Sequence, residues 1–383
     1  MKKYFTCRPL SDVEKKNLAI LEAISKNGPI SRTDISKRLD LNMVTISNYV
    51  KNYISKSVII ETGQESSSGG RRPELIDLNL RGGYVIGVSI ASFGIIGFSA
   101  NLRIKVIERL ETQEAFDESK VFDVIKRLIE RLKVEPGKIK GIGVGVSSIM
   151  NIDSNALVDS AERMFSIPTF FAHDAMCAAF GEKQLNIEAD VHNMLYMYSD
   201  IGCGIILHGD IYLGTSGEAG EISLSSDHLK EKEEIFLKDS TYLKPWSQDL
   251  GIVTEARRVI ARGVGTAMVE LVKGDVDHLT LKTVIEAAKR NDDTAMGIIE
   301  VAALNLGLRV AYLVNLFNPE VVVVGGGIEE AGDLALNPIK TIIQKFSHKS
   351  ATDILKIIPS SLGKDSVALG AASLMIRELY IKM

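Results

Sequence analysis

The sequence has little cysteine, and its three cysteines are scattered. Cys7, Cys177 and Cys203 provide neither a disulfide framework nor the CxxC spacing of a zinc site. The two most apolar regions, residues 84–100 and 301–328, are interrupted by glycine, serine, arginine, asparagine or proline, so neither makes a convincing membrane span. The basic N-terminus has no apolar run behind it, which predicts no signal peptide. These absences favour a cytoplasmic protein without membrane segments.

The composition is that of a globular protein, with 45% apolar and 25% charged residues. At 383 residues the chain is too long for one core and predicts two or three domains. Residues 1–80 carry 13 Lys and Arg against 9 Asp and Glu, and the rest carries 32 against 40. A mildly basic head on an acidic body fits a head that meets phosphates, although chance segregation would look the same.

The pattern over residues 17–73 predicts a winged helix-turn-helix module. A first apolar-periodic helix ends at Asn27-Gly28-Pro29, and Ser31 with Asp34 resembles a capping box for a second helix. Asn42 can cap a third helix. Two β-rich runs, residues 57–62 and 75–80, follow. For the third helix we predict an inner face that consists of Met43, Val44, Ile46, Tyr49, Val50 and Tyr53.

Polar residues on the outer face of this third helix are candidates for DNA contact. Asn48 could pair bidentately with adenine, and Lys51 is better placed for a phosphate. Two arginines between glycine and proline could enter a minor groove or clamp the backbone. An ordinary solvated helix face and a plain interdomain linker are the alternatives. The complete predicted set for DNA binding is Arg32, Thr45, Ser47, Asn48, Lys51, Gly70, Arg71 and Arg72.

From residue 83 onwards strands, glycine turns and helices alternate in α/β order. We predict strands at 84–88, 95–102, 105–110, 141–146, 194–197, 202–208, 211–213 and 321–324. We predict helices at 121–132, 173–182, 248–262, 281–289 and 293–317, and a final helix opened by Gly370-Ala371-Ala372.

The chain resembles the ROK family, which groups bacterial sugar-responsive repressors with sugar kinases. The matching stretches, in order, are residues 32–48, 69–73, 173–182, 209–222, 318–327 and 361–372. The resemblance implies an α/β fold of two actin-like (ribonuclease H-like) lobes with a sugar and nucleotide cleft between them. It places a winged helix-turn-helix domain at 1–80 and an actin-like domain at 81–383, with a small lobe at about 81–175 plus the C-terminal helix and a large lobe at about 176–365. Members with such a head are transcriptional repressors of the xylose-repressor and N-acetylglucosamine-repressor type.

The resemblance is weakest where family kinases bind nucleotide. Residues 89–93 lack the family's acidic residue and both glycines, and Asp200 in the second loop would repel phosphate. The positions that remain as a vestigial nucleotide site are Gly202, Gly204, Gly325, Gly326 and Gly327. For the loop 325–327 a tight strand exit is the simpler explanation.

On the sugar side the resemblance assigns three residues. His173 and Asp174 stand where the family has Asn-Asp, and Glu221 matches the glutamate that binds sugar hydroxyls. In a kinase Asp174 would be the catalytic general base, whereas an ordinary helix N-cap is the equal alternative. Leu224 replaces the family's zinc-binding histidine, and residues 227–239 contain no cysteine, so we predict no metal. The segment before Asp174 looks shortened, which predicts an altered effector pocket.

Three functions remain open at this stage. The first is a sugar-responsive DNA-binding regulator, most simply a repressor of carbohydrate-utilisation genes, which binds operator DNA as a homodimer or higher oligomer and whose lobes close on the effector. The second is an ATP-dependent hexose or N-acetylglucosamine kinase, the only case in which ATP and Mg would be cofactors. The third is a constitutive DNA-binding dimer with an empty cleft.

Overall fold

The computed structural model describes residues 5–6, 8–64, 73–91, 94–113, 116–147, 150, 152–198, 202–222 and 251–383. The chain divides into two compact units, one formed by Met1–Ala172 with Ala368–Met383 and the other by His173–Val367. The N-terminal head and the first five-stranded sheet therefore belong to one unit. The domain boundary at residue 80 stays a prediction.

The head consists of three helices and a small antiparallel sheet. Its elements are α1 (Asp12–Asn27), β1 (Ile30–Ser31), α2 (Arg32–Leu39), α3 (Met43–Ser55), β2 (Ile59–Gln64) and β3 (Glu74–Leu78), with strand order β1-β3-β2. Side-chain caps begin each helix, because Ser11, Ser31 and Asn42 accept backbone N–H groups at the three N-termini. The predicted helices form at the expected places, and β1 is an additional strand.

The core of the head is apolar and contains a buried hydrogen bond between two side chains. Ile46, Val50 and Tyr53 of α3 are fully buried, and the Tyr53 hydroxyl donates to Oδ1 of buried Asn17 at 2.8 Å. The predicted inner face of α3 is wrong at its first two residues, since Met43 and Val44 are exposed. Both lie in the first turn of α3. Val44 falls outside the face of Ile46, Val50 and Tyr53, whereas Met43 shares that face by its spacing and is exposed at the end of the helix.

The first five-stranded sheet follows the head directly. Its strands are β4 (Tyr84–Ala91), β5 (Gly94–Asn101), β6 (Val106–Thr112), β7 (Ile139–Val146) and β8 (Thr169–His173), in the order β6-β5-β4-β7-β8. The first three strands pair antiparallel, and β4 pairs with β7 parallel. Two helices, α4 (Glu118–Leu132) and α5 (Ser154–Phe165), contribute apolar residues to the core under this sheet.

The second unit contains a sheet of the same design. Its strands are β9 (Met194–Tyr198), β10 (Gly202–Leu207), β11 (Asp210–Ile211), β12 (Val321–Gly325) and β13 (Lys356–Pro359), in the order β11-β10-β9-β12-β13. Counted from its own first strand, each sheet therefore has the order 3-2-1-4-5. The central strand again has an antiparallel neighbour on one side and a parallel one on the other.

Helices complete the second unit. They are α6 (Asp174–Leu185), α7 (Ile252–Ala261), α8 (Ala267–Leu271), α9 (Leu281–Lys289), α10 (Asp293–Phe317), α11 (Asp333–Phe346) and α12 (Lys349–Thr352), and α13 (Ser366–Ile381) ends the chain. By length and composition α10 alone among the described helices could cross a membrane, but most of its apolar window is buried inside the protein. It is the central core helix of this unit.

One sequence-based expectation about elements needs correction. The final helix begins at Ser366, so Gly370 lies inside it and does not open it. The segment before Asp174 contains α5, whose N-cap Asp153 accepts the N–H groups of Asn155 and Ala156, and its shortening relative to the family stays a prediction.

Candidate functional sites

The helix α3 carries four of the eight residues predicted for DNA binding. Asn48 and Lys51 are exposed, and Thr45 and Ser47 are half-buried. The N–H of Thr45 donates to Oδ1 of Asn42, which fixes the start of the helix. Gly70, Arg71 and Arg72 lie outside the described residues.

Arg32 has a structural role within the head. Its guanidinium donates to Glu61 at 2.8 Å and to Glu74 at 3.1 Å, and these carboxylates lie on the neighbouring strands β2 and β3. The contact ties α2 to both strands. Arg32 remains a predicted DNA contact, but two carboxylates already accept its donors.

The three predicted sugar-site residues lie together in the second unit. β8 leads into α6, so that His173 becomes the N-cap of the helix and Asp174 its first residue. His173 Nδ1 lies 3.9 Å from Oε1 of Glu221, which is within ion-pairing distance but longer than a hydrogen bond. Asp174 is only 5% exposed, and its Oδ1 accepts the N–H of Ala175 at 2.7 Å. The alternative of Asp174 as N-cap is wrong, because His173 holds that position.

Two of the five glycines assigned to a vestigial nucleotide site allow a strand to approach a helix. A Cβ on Gly202 would lie 2.5 Å from the Cβ of Ala175, and one on Gly204 would lie 2.1 Å from the Ala175 carbonyl oxygen. Gly202 also forms a β-bridge with Glu221, which brings that carboxylate to the start of α6. Packing of β10 on α6 therefore accounts for both glycines.

In the glycine loop after β12, the carboxylate of Glu329 accepts a hydrogen bond from the loop backbone. The N–H of Gly327 donates to Oε2 of Glu329 at 2.7 Å. Burial raises the pKa of the Glu329 carboxyl from 4.5 to about 7. A Cβ on Gly325 would lie 2.0 Å from the Tyr196 hydroxyl, so this glycine too is required by packing. At alkaline pH the ionised carboxylate would repel a phosphate here.

Glu182 is an important buried carboxylate that sequence reasoning did not single out. It is 1% exposed and accepts hydrogen bonds from the hydroxyl of Ser360, from the N–H and hydroxyl of Ser361, and from the N–H of Leu362. The side chain of Asn186 donates to it as well. It thereby holds the loop that leads into α13. The signal available was an acidic residue on the apolar, alanine-rich helix 173–182.

Among the residues that the structure describes, no group of three or more His, Cys, Asp or Glu side chains could hold a metal ion. The stretch that would carry zinc ligands, from residue 223 to 250, lies outside those residues. The absence of zinc therefore stays a prediction.

Comparison with known proteins extends over nearly the whole chain. The chain is 28% identical over 384 residues to a xylose repressor of Caldicellulosiruptor bescii, covering 94% of this chain and 95% of the relative. A solved ROK family transcriptional regulator, a homologue of the Escherichia coli MLC protein, superposes with a TM-score of 0.78 at 21% identity over 96% of this chain and 97% of its own. A ROK family glucokinase from Streptomyces griseus, solved with glucose and AMPPNP, gives 0.62 at 22% identity over 76% of this chain and 99% of its own.

The kinase likeness thus covers three quarters of this chain, whereas the regulator likeness takes in the head as well. The two sheets with their 3-2-1-4-5 order and the glycine-lined strand–helix contact at Asp174 form an α/β sugar-kinase-like fold. The ROK family pattern itself matches residues 82–224 and 261–378, which is well over half of the sequence. The chain belongs to the ROK family.

Proposed function

We propose that this protein is a sugar-responsive transcriptional repressor that binds operator DNA through an N-terminal winged helix-turn-helix domain. The observation that carries the proposal is the match to a xylose repressor over 94% of this chain, because it includes both head and body. The polar strip on α3 supports DNA binding, and the capped, fully buried core of the head supports a rigid reading helix.

The effector site that we propose consists of His173, Asp174 and Glu221. Two carboxylates and an imidazole around the start of α6 can accept and donate hydrogen bonds to sugar hydroxyls. An effector acts on DNA only through its different affinity for two states, and a coupling of about 1–3 kcal/mol would be sufficient for induction. We further propose a cytoplasmic homodimer that needs neither ATP nor zinc, whose two heads meet a palindromic operator.

The test begins with selection of duplexes from random DNA by the full-length protein, with and without xylose, glucose or N-acetylglucosamine. We expect a palindromic site and a sugar that weakens its binding by about 5- to 150-fold. Sedimentation of the complex should give two protomers per site. The proposal fails if no duplex is enriched at low salt.

A sugar kinase with a DNA-binding head is the second candidate, favoured by Asp174 in the position of the general base. It predicts ATP consumption that depends on a hexose and disappears in Asp174→Asn. The carboxylate of Glu329 in the glycine loop opposes it, because phosphoryl transfer needs positive charge and amide donors around the phosphates.

A further inference from the structure

An exposed valine occupies the first turn of α3. Val44 is 71% exposed, and its neighbour Met43 is 42% exposed. We propose that Val44 reads the 5-methyl group of a thymine in the major groove of the operator half-site. This inference rests on the proposed DNA-binding function and names one of its specificity determinants.

The position of Val44 on the helix supports this role. Ser47, Asn48 and Lys51 follow Val44 at intervals of three, four and seven residues, so the four side chains share one face of α3. Ile46, Val50 and Tyr53 occupy the opposite, buried face. Val44 therefore lies at the N-terminal end of the strip formed by Ser47, Asn48 and Lys51, although the sequence pattern predicts it on the inner face. The N-terminal residues of a recognition helix are those that reach base edges.

The charges around Val44 suit DNA. The helix α3 contains no acidic residue, and its one charged side chain is Lys51. Lys37 and Arg38 at the end of α2 are exposed, as is Lys56 beyond α3. Asp40, in the turn between the two helices, is the exposed acidic exception. Exposed cations at the ends of a helix without acidic residues suit DNA, because lysine and arginine contact phosphates while other side chains reach base edges.

The chemistry of the side chain selects the base. A valine has no hydrogen-bonding group, so it gains nothing from base-edge donors and acceptors. The thymine methyl is the apolar group that the standard bases present in the major groove. Asn48, one helical turn further along, has the side chain that pairs with adenine. The two positions together predict an A·T-rich stretch in each half-site.

The experiment removes the methyl group from the DNA. In the duplex selected by the full-length protein, each thymine is replaced in turn by 2′-deoxyuridine, which lacks only the methyl. We expect one position per half-site at which the wild-type protein loses affinity about fourfold, the value of one buried methyl. In Val44→Ala the loss at that position should fall below 1.5-fold, because the partner of the methyl has been truncated.

Two control variants separate this contact from general effects. Val13→Ala truncates another valine of the head, 59% exposed on α1, and should retain the full sensitivity to deoxyuridine. Lys51→Ala should weaken binding to the thymine and deoxyuridine duplexes by the same factor, since a phosphate contact carries no sequence information. Thermal unfolding of each variant checks that the exposed substitutions leave the fold intact.

The outcomes distinguish this inference from the proposed function. If operator binding is normal but no thymine is sensitive to loss of its methyl, or if Val44→Ala keeps the wild-type sensitivity, the role of Val44 is refuted while DNA binding stands. If the protein selects no duplex at all, both proposals fail.

Discussion

Single glycines hold the candidate sugar site together through close packing. The missing Cβ of Gly204 makes room for the Ala175 carbonyl, which positions the first turn of α6 and with it Asp174. The same residue type on the surface of α10 has no such role, because nothing lies within 4 Å of a Cβ on Gly297. The two glycines therefore make a matched pair for measurement.

We predict opposite effects of alanine at these two glycines. Gly204→Ala should lower the free energy of unfolding by about 1–3 kcal/mol, because backbone must move to admit the methyl group. Gly297→Ala should raise it by about 0.5–1 kcal/mol, because alanine is favoured over glycine inside a helix. Urea unfolding of both variants measures the difference. A neutral Gly204→Ala would contradict the packing role.

The Glu329 carboxyl predicts a pH dependence of stability. Burial raises its pKa from 4.5 to about 7 in the folded protein. Between these values the folded state holds a proton that the unfolded state has released, so the stability contributed by this group falls as pH rises through about 7. Glu329→Gln should remove this decline, whereas Glu300→Gln, at an exposed carboxylate of the same unit, should leave it in place. Urea unfolding at pH values from 4.5 to 8 tests the prediction, and equal slopes in wild type and Glu329→Gln would refute it.

At the scale of elements, α1 and β3 of the head are joined to the turn between β5 and β6 by Arg103. Its guanidinium donates to the carbonyl oxygens of Ser25 and Gly28 at the end of α1 and pairs with Asp77 on β3. At the other end of the head, Lys56 donates to the carbonyl oxygen of Met383 at 2.6 Å. These polar contacts connect the head to the first sheet and to the C-terminal residue of the chain.

We predict that Arg103→Ala loosens the head. The change leaves Asp77 and two carbonyl oxygens without this donor, which should cost about 2 kcal/mol of unfolding free energy. Arg81→Ala, at an exposed arginine of the same unit, should cost less than about 0.5 kcal/mol. Limited proteolysis should cleave the head of Arg103→Ala faster than that of Arg81→Ala. Equal cleavage rates would show that Arg103 does not secure the head.

Elements with both caps and periodicity were predictable from the sequence. The predicted bounds of α9 and α10 are those observed, since Thr280 and Asp292 cap their starts and Asn318 ends α10 in the left-handed conformation. The start of α13 was not predictable from its glycine. A Cβ on Gly87 of β4 or on Gly143 of β7 would clash with the carbonyl oxygen of Ala368 or Ala371, respectively. The small residues of α13 are therefore explained by close packing on the first sheet and do not mark the start of the helix.

At the scale of the whole molecule, sugar binding should stabilise the protein. If His173, Asp174 and Glu221 form the effector site, a sugar at 100 times its dissociation constant adds about 2.7 kcal/mol to the free energy of unfolding. Asp174→Ala and Glu221→Gln should abolish this gain, and Glu300→Gln, on the exposed side of α10, should keep it. Thermal shift against a panel of sugars measures the effect. If no sugar stabilises the wild type, a constitutive DNA-binding dimer becomes the better explanation.

The sequence by itself determined the α/β body and the helical head, because caps, periodicity and glycine turns are local signals. The family and the candidate sugar-site residues followed from the resemblance to the ROK family. Tertiary structure alone decided that Arg32 pairs with two glutamates, that Glu182 fastens the loop before α13, and that Glu329 occupies the glycine loop. It also decided that Val44 faces solvent. Each of these depends on which distant segments meet, and that is set by the packing of whole elements and not by any local pattern of residues.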